Sequence, residues 1–241
     1  MIADRCYLYA IVAGAGPLPE TLAGLEEAPI SLVAYQDIAA AISPVGVNSP
    51  EPVTPHLLAH EAVIEKLMEQ RSTLPVRFGS LFSHKDKVLE VLSDRYTVFK
   101  ADLERLAGQV EVGLRVLWDD EAARNTYKPA PMSEALASDR AGTRYIRERL
   151  ISLGAARYMH EQAATLEAWC RHRLQPVASE MRFRLLATEK MPVSGALLIK
   201  KERLDCLLDV VHQMECERPD LDLFCTGIWP PYHFVSGAND A

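Results

Sequence analysis

The order of the predicted elements places this chain in the α+β class. Strand–strand–helix–strand occurs once over Ile30–Phe78 and again over Ser179–Trp229. With a covering helix, this order is the core of a ferredoxin-like sandwich, in which helices cover one face of an antiparallel sheet. Residues 140–174 add a long stretch of helical periodicity before the second set. We therefore predict two domains, an N-terminal ferredoxin-like antiparallel sheet with helices and a C-terminal α+β domain with a long helix.

Length and composition indicate an ordinary globular protein. The 241 residues allow one large domain or two small ones, and 49% hydrophobic residues are enough to build a core. The formal net charge of -7 argues against a nucleic-acid partner, because contacts with phosphates need a basic surface.

Apolar runs and cysteines indicate a cytosolic protein. No apolar run approaches the roughly 20 residues that a membrane span needs, so we expect no membrane span. The short apolar segment after Asp4 and Arg5 is better interpreted as a strand than as a signal peptide. The five cysteines are odd in number and scattered, without a C-x-x-C pair, which predicts free thiols in a reducing compartment.

Branched, aromatic and turn residues predict the elements of the first half. The expected strands are Cys6–Ala13, Ile30–Asp37, Ile38–Val45, Ser72–Gly79 and Gln109–Trp118. Thr54 predicts a helix N-cap with Pro55 in the first turn, and this helix should reach about Arg71. A second helix is expected over Asp86–Ala107, with a possible break near Ser93–Asp94.

The second half repeats this order after a linker. The expected elements are a strand pair at Ser179–Lys190 and Pro192–Lys201, a helix at Arg203–Glu217 and a strand at Asp220–Trp229. Residues 125–139 contain two prolines and few hydrophobic residues, which is typical of a linker. We therefore expect an N-terminal domain over 1–124, a linker over 125–139 and a C-terminal domain over 140–241.

Residues 140–174 predict either one long helix or two helices separated at Gly154. Apolar residues recur at helical spacing, with one slip near that glycine, at Ile146, Leu150, Leu153, Ala163, Leu166, Cys170 and Leu174. The region is also basic, since Arg140–Arg184 contains nine arginines and only four acidic residues. A solvated helix face accounts for these charges, and docking onto an acidic partner is the functional alternative.

No motif marks a catalytic, cofactor or metal site. His60 begins a helix motif like that of zinc proteases, but Ile64 stands where the second histidine is needed. His212 and Cys216 supply only two possible ligands, so packed thiols and a solvent-facing histidine are favoured. Gly14 follows a strand but lacks the further residues of a phosphate loop. We therefore predict no catalytic residue, no cofactor and no metal.

Two stretches of the sequence are distinctive, namely LPVRFGSLF at Leu74–Phe82 and TGIWPPYHFV at Thr226–Val235. Together with YLYAIV, VEVGLRVLW and GTRYIRERL, they make the chain resemble the gas-vesicle accessory family GvpF/GvpL. The resemblance covers nearly the whole chain, roughly Tyr7 to Val235. It departs slightly at Gly227-Ile228, where members of that family often have glycine-proline.

The resemblance implies a non-enzymatic protein of the gas vesicle and cytoplasm. It implies binding to the small hydrophobic shell protein of the GvpA type, which limits aggregation of that protein during vesicle nucleation and assembly. Other gas vesicle accessory proteins are further implied partners. Two alternatives stay open: a scaffold that joins other accessory proteins through the basic helix, and an enzyme with an unrecognised small-ligand site.

Seven residues are candidates for partner contact or for a structural motif: Arg77, Phe78, Arg144, Arg147, Arg149, Trp229 and Tyr232. Because proline fixes φ, the two adjacent prolines predict a turn that folds the tail aromatic residues, Phe234 included, against a domain core. Direct contact of the tail with the shell protein is the alternative. We expect Phe78 in a core and Arg77 paired with a carboxylate or carbonyls, with partner contact by Arg77 as the alternative.

Overall fold

The computed structural model describes residues 5–19, 22–46, 49–129 and 140–236. The chain forms two compact units. The first holds the residues up to Glu111 together with those from Ile228 onward, and the second holds Val112–Gly227. Each unit combines a sheet with helices, so the predicted α+β class is confirmed. Among the described helices, none is long and apolar enough to cross a membrane.

The two units are defined by which residues pack together. The expected boundaries at 1–124, 125–139 and 140–241 were instead drawn from the composition of the sequence. In the structure the residues from Ile228 onward belong with the beginning of the chain. Most of the expected linker, residues 130–139, lies outside the described residues, so its role as a linker stays a prediction.

The first unit is an antiparallel sheet with three helices. Its strands are β1 (Cys6–Ala13), β2 (Ser31–Tyr35), β3 (Ile38–Pro44), β4 (Thr73–Pro75) and β5 (Leu81–Phe82), and its helices are α1 (Thr54–Gln70), α2 (Lys85–Asp94) and α3 (Tyr96–Arg105). The sheet order is β2-β3-β1-β4, and β5 also pairs with β1. Strand β4 lies at an edge, as the proline in it predicts.

Helices cover both faces of β1, whereas the sequence pattern predicted helices on one face. Tyr7 and Tyr9 pack against His60 of α1. Leu8, between them, lines a cavity together with Val91 of α2 and residues of α3. Because successive side chains point to opposite faces of a strand, α1 lies on one face and α2 and α3 on the other. Burial on both faces explains why this strand is apolar without alternation.

Three local features refine the predicted elements. Thr54 is the first residue of α1, and Val53 occupies the N-cap without a side-chain bond. The helix expected over Asp86–Ala107 is divided at Arg95, close to the indicated break. A short turn at Leu25–Glu27, with Glu26 and Glu27 at positive φ, lies where a complete β-α-β-β-α-β unit has its first helix.

The second unit contains a four-stranded sheet and the long helix. Its elements are β6 (Gln109–Trp118, in this unit from Val112), α4 (Asp120–Asn125), α5 (Ala141–Leu174), β7 (Ala178–Thr188), β8 (Met191–Lys200), α6 (Leu204–Glu217) and β9 (Leu221–Trp229, in this unit up to Gly227). The strand order is β7-β8-β6-β9. The core joins Leu114 and Leu197 of the sheet to Leu174 of α5 and Met214 of α6.

Helix α5 is continuous, so the alternative of a break at Gly154 is wrong. An added Cβ at Gly154 would overlap the hydroxyl of Tyr127, so glycine here allows close approach of a tyrosine ring. The slip in apolar spacing separates two faces of one helix. The buried face contains Met159, Ala163, Leu166, Cys170 and Leu174.

Candidate functional site: a buried histidine that joins two sequence motifs

The C-terminal tail packs into the first unit. The adjacent prolines at 230 and 231 are buried and lead into one turn of 3-10 helix at Tyr232–Phe234. Phe234 is fully buried, and Tyr232 packs against the core cluster that contains Tyr7 and Ile64. These two aromatic side chains therefore fold back against a core of their own protein.

His60 of α1 contacts both ends of the PVRFG motif, directly or through Tyr7. The Nδ1 atom of His60 lies 3.0 Å from the Tyr7 hydroxyl, and Nε2 lies 3.0 Å from the Val76 carbonyl oxygen. The Tyr7 hydroxyl in turn accepts a hydrogen bond of 3.0 Å from the Gly79 N–H. The ring of Phe78 packs edge-on against His60 at 5.7 Å. We call Tyr7, His60, Glu61, Phe78 and Tyr232 the His60 cluster.

The hydrogen bonds fix the protonation of the histidine. A carbonyl oxygen only accepts, so Nε2 of His60 carries the hydrogen, and Nδ1 accepts from Tyr7. Burial lowers the pKa of His60 to about 4, although the bond to Val76 opposes this shift. Burial also raises the pKa of Tyr7 to about 12. Both groups are therefore neutral near pH 7 and hold the motif by hydrogen bonds.

Tyr232 brings the tail motif to the same histidine. Its hydroxyl donates to Oε1 of Glu61 at 2.8 Å and lies 3.3 Å from Nε2 of His60. The other carboxylate oxygen, Oε2 of Glu61, is buried and has no hydrogen-bond partner among the described residues. Burial raises the pKa of Glu61, and burial together with the Glu61 charge raises the pKa of Tyr232.

Two further carboxylates, both well buried, hold the tail. Glu111 accepts a hydrogen bond of 2.9 Å from the backbone N–H of His233 and lies 2.6 Å from its ring Nδ1. Asp102 accepts from the backbone N–H and the hydroxyl of Ser236, at 2.6 and 3.0 Å. A buried carboxylate without a partner is costly, so the tail and these side chains stabilise one another.

A cavity of about 240 Å³ lies in the first unit beside the tail. Its apolar lining includes Leu8, Ile11, Phe82, Val91, Phe99, Tyr232 and Val235. Arg77 and Arg95 also line it, and Arg95 donates to the Ser236 carbonyl at 2.9 Å. The cavity is therefore suited to an apolar group.

The described residues contain no group of three or more His, Cys, Asp and Glu side chains arranged to hold a metal ion. Both ring nitrogens of His60 already have hydrogen-bond partners. The His212 side chain is 79% exposed and lies 3.6 Å from Glu215, and Cys216 is exposed. The polar atoms of the His60 cluster join separate segments of the chain by hydrogen bonds.

The candidate contact residues from the sequence fall in different places. Phe78 is half-buried in the His60 cluster, and Arg77 is exposed at the cavity. Trp229 is 46% exposed at the end of β9, unlike Phe234, which is fully buried. On α5, the remaining candidates Arg144 and Arg149 are exposed and Arg147 is half-buried. Partner contact by these residues stays a prediction.

Sequence reasoning missed the role of His60 and Glu61, because it tested them only as an incomplete zinc motif. A signal was present, since His60 precedes Val63 and Ile64 by three and four positions. That spacing puts a histidine on the apolar face of a helix, where it needs polar partners.

Known proteins match this chain over nearly its whole length. A family model described as "Gas vesicle synthesis protein GvpL/GvpF" matches residues 5–236. Gas vesicle protein F of Streptomyces sp. (strain CB03234) is 27% identical over 248 residues, which cover 95% of this chain and 98% of that protein. Gas vesicle protein L of the same strain is 28% identical over 268 residues, covering 100% and 96%.

A solved structure matches the fold. The crystal structure of the gas vesicle protein GvpF from Anabaena sp. PCC7120 gives a TM-score of 0.75 at 21% identity, and covers 97% of this chain and 98% of that chain. The range that the family model matches, residues 5–236, contains the positions of the PVRFG motif, the WPPYHF tail and His60. This chain therefore belongs to the GvpL/GvpF family of gas vesicle synthesis proteins.

Proposed function

We propose that this protein binds the small hydrophobic shell protein of the gas vesicle and limits its aggregation during nucleation and assembly. It works in the cytoplasm and at the growing vesicle, by binding and without turnover of a substrate. The observation that carries the proposal is the family match over residues 5–236.

The physical need for such a protein follows from the shell itself. A shell subunit that faces gas must present apolar surface, which would drive nonspecific association before assembly. At about 25 cal/mol per Å², even several hundred Å² of exposed apolar surface is a strong force for aggregation. A partner that covers this surface, and then yields the subunit to the shell, removes the problem.

Charge supports this role. The formal net charge of -7 favours solubility of a complex with an apolar subunit, because like-charged complexes repel one another. Binding of this kind needs no active site. The hydrogen bonds of the His60 cluster, which join segments of the protein to one another, are compatible with such a role.

The test dilutes shell protein of the same gas vesicle system from denaturant into buffer with or without this protein. We expect light scattering to fall as this protein approaches equal molar amounts, and both proteins to elute together in gel filtration. An unrelated acidic globular protein of similar size controls for crowding and charge. Unchanged scattering together with separate elution would refute the proposal.

A further inference from the structure

We propose that the N-terminal half of α5 is a docking surface for an acidic amphipathic helix of a partner protein. The surface consists of Ile146, Leu150 and Leu153, which we call the α5 stripe, and of the arginines beside it. This contact goes beyond the proposed binding of the shell protein and does not depend on it.

The α5 stripe is apolar and open to solvent. Ile146, Leu150 and Leu153 are 50%, 46% and 52% exposed. Single exposed leucines are common on protein surfaces, but these three follow the spacing i, i+4 and i+7. At about 100° per residue they lie within about 60° of one another, on a strip about 10 Å long. The same spacing anchors amphipathic helices in their partners.

The core of the second unit does not use this face. The buried side chains of α5, such as Ala163, Leu166 and Cys170, come from its C-terminal half. At about 100° per residue, their face is turned by roughly 120° from the α5 stripe. The slip near Gly154 therefore separates a face that builds the core from a face that is left for another contact.

Two arginines, which form no ion pair with the described residues, lie beside the α5 stripe. Measured around the helix from Ile146, Arg149 lies about 60° to one side and Arg147 about 100° to the other, whereas Arg144 lies about 160° away, near the opposite face. Among the described residues no carboxylate pairs with these three side chains, whereas Arg157 pairs with Glu161 farther along the helix. Positive charges beside an apolar strip, with no carboxylate partner in the described part of the chain, favour a partner with an apolar strip and acidic flanks.

A protein helix fits this surface better than a membrane does. Helices that lie in a membrane surface present a wide apolar face, often with Trp or Phe. The α5 stripe is narrow and aliphatic, and α5 is fixed by its C-terminal half in a folded core. The α5 stripe, about 10 Å long, matches about two turns of a partner helix.

The test measures fluorescence anisotropy of a labelled synthetic helix with leucine at heptad positions a and d and glutamate at e and g. A second probe carries lysine at e and g. We expect the full-length protein to bind the glutamate probe at least about tenfold more tightly than the lysine probe, with the difference reduced by salt. Leu150→Ser should weaken binding of the glutamate probe at least about fivefold.

Charge reversal gives the sharper result. The double variant Arg147→Glu/Arg149→Glu should invert the preference, so that the lysine probe binds more tightly. The matched control is Lys200→Glu/Lys201→Glu, which changes the net charge equally at exposed positions of the same unit. Leu208→Ser on α6, at a leucine that is 58% exposed, is the control for Leu150→Ser. Both controls should keep the preference for the glutamate probe, and circular dichroism shows whether each variant is folded.

Three outcomes would overturn the proposal. The first is equal binding of the two probes, or equal effects of the α5 variants and their controls. The second is binding to anionic phospholipid vesicles in place of the glutamate probe, which would assign the surface to a membrane. The third is self-association that Leu150→Ser abolishes, which would assign the surface to a second copy of this chain.

Discussion

The Tyr232 hydroxyl donates a hydrogen bond of 2.8 Å to Glu61, across 171 positions of the sequence. The carboxylate is half-buried, and its second oxygen has no hydrogen-bond partner among the described residues. Burial disfavours the negative charge of Glu61, and the Tyr232 hydroxyl supplies a hydrogen bond that water would otherwise make to this carboxylate. This bond attaches the tail to α1 at the residue next to His60.

Replacing Tyr232 with phenylalanine tests this bond. Tyr232→Phe keeps the ring but removes the hydroxyl, which leaves the Glu61 carboxylate without its polar contact to the tail. We expect a loss of about 1–3 kcal/mol in the free energy of unfolding, measured by urea denaturation at pH 7. The control Tyr145→Phe changes a tyrosine that is 69% exposed and should stay within about 0.5 kcal/mol of the parent. Equal stability of the two variants would contradict a structural role for the bond.

Phe234 tests whether the tail is part of the core. The side chain is fully buried, so Phe234→Ala should lower the free energy of unfolding by about 3–5 kcal/mol. Phe224→Ala removes the same atoms from a residue that is 49% exposed and should cost much less. Truncation after Gly227 should destabilise more than Phe234→Ala, since it also leaves Asp102 and Glu111 without their tail partners. A truncated chain as stable as the parent would place the tail at an interface instead.

Elements defined by local pattern were predictable from the sequence. Helix α3 ends at Arg105, Gly108 lies at positive φ in the turn that follows, and β6 occupies the predicted residues Gln109–Trp118. The prolines at 230 and 231 predicted the turn of the tail, because they restrict φ whatever they pack against. The helices on both faces of β1 were not predicted, since a short apolar strand does not show how many layers cover it.

The His60 cluster was beyond sequence pattern for a different reason. Tyr7 and His60 are 53 positions apart, and nothing local brings them together. Their pairing depends on how α1 packs on β1, and only the tertiary structure determines this packing. The two faces of α5 were predictable only in part. The sequence shows that the apolar spacing changes near Gly154, but only burial in the structure shows which face belongs to the core and which is the α5 stripe.

The lowered pKa of His60 predicts a pH dependence of stability. The folded protein holds this pKa at about 4, against an ordinary value of 6.5, because the ring is buried. Between these pH values the unfolded chain binds a proton that the folded chain excludes. Stability should therefore be full above about pH 6.5 and fall by up to about 3 kcal/mol as the pH drops towards 4. The raised pKa of Glu61 acts in the opposite direction and offsets part of this loss.

Urea unfolding between pH 7 and pH 4.5 measures this effect. His60→Gln should be less stable than the parent at pH 7, because Tyr7 and Val76 lose their partner, but its stability should fall less steeply with acid. His212→Gln changes a side chain that is 79% exposed and should keep the slope of the parent. An unchanged slope in His60→Gln would assign the acid sensitivity to other groups.

Gly154 provides a test of why α5 is continuous. Alanine in a helix interior is normally more stable than glycine by about 1 kcal/mol. At this position the added methyl group would overlap the Tyr127 hydroxyl and displace a ring that packs 5.7 Å from Tyr158. Gly154→Ala should therefore bring no gain in the parent chain, but should stabilise a Tyr127→Ala chain by about 1 kcal/mol. Urea unfolding of the parent, both single variants and the double variant gives this coupling energy.

Gly142 is the matched control for that cycle. It lies in the same helix, and no atom of the described residues comes within 4 Å of an added Cβ there, so Gly142→Ala should have the same effect with and without Tyr127. Additive effects of Gly154→Ala and Tyr127→Ala would mean that the helix does not need glycine to accept the tyrosine. Coupling at Gly154 and none at Gly142 would show that Gly154 serves the contact with Tyr127. Glycine does not itself stabilise the helix at this position.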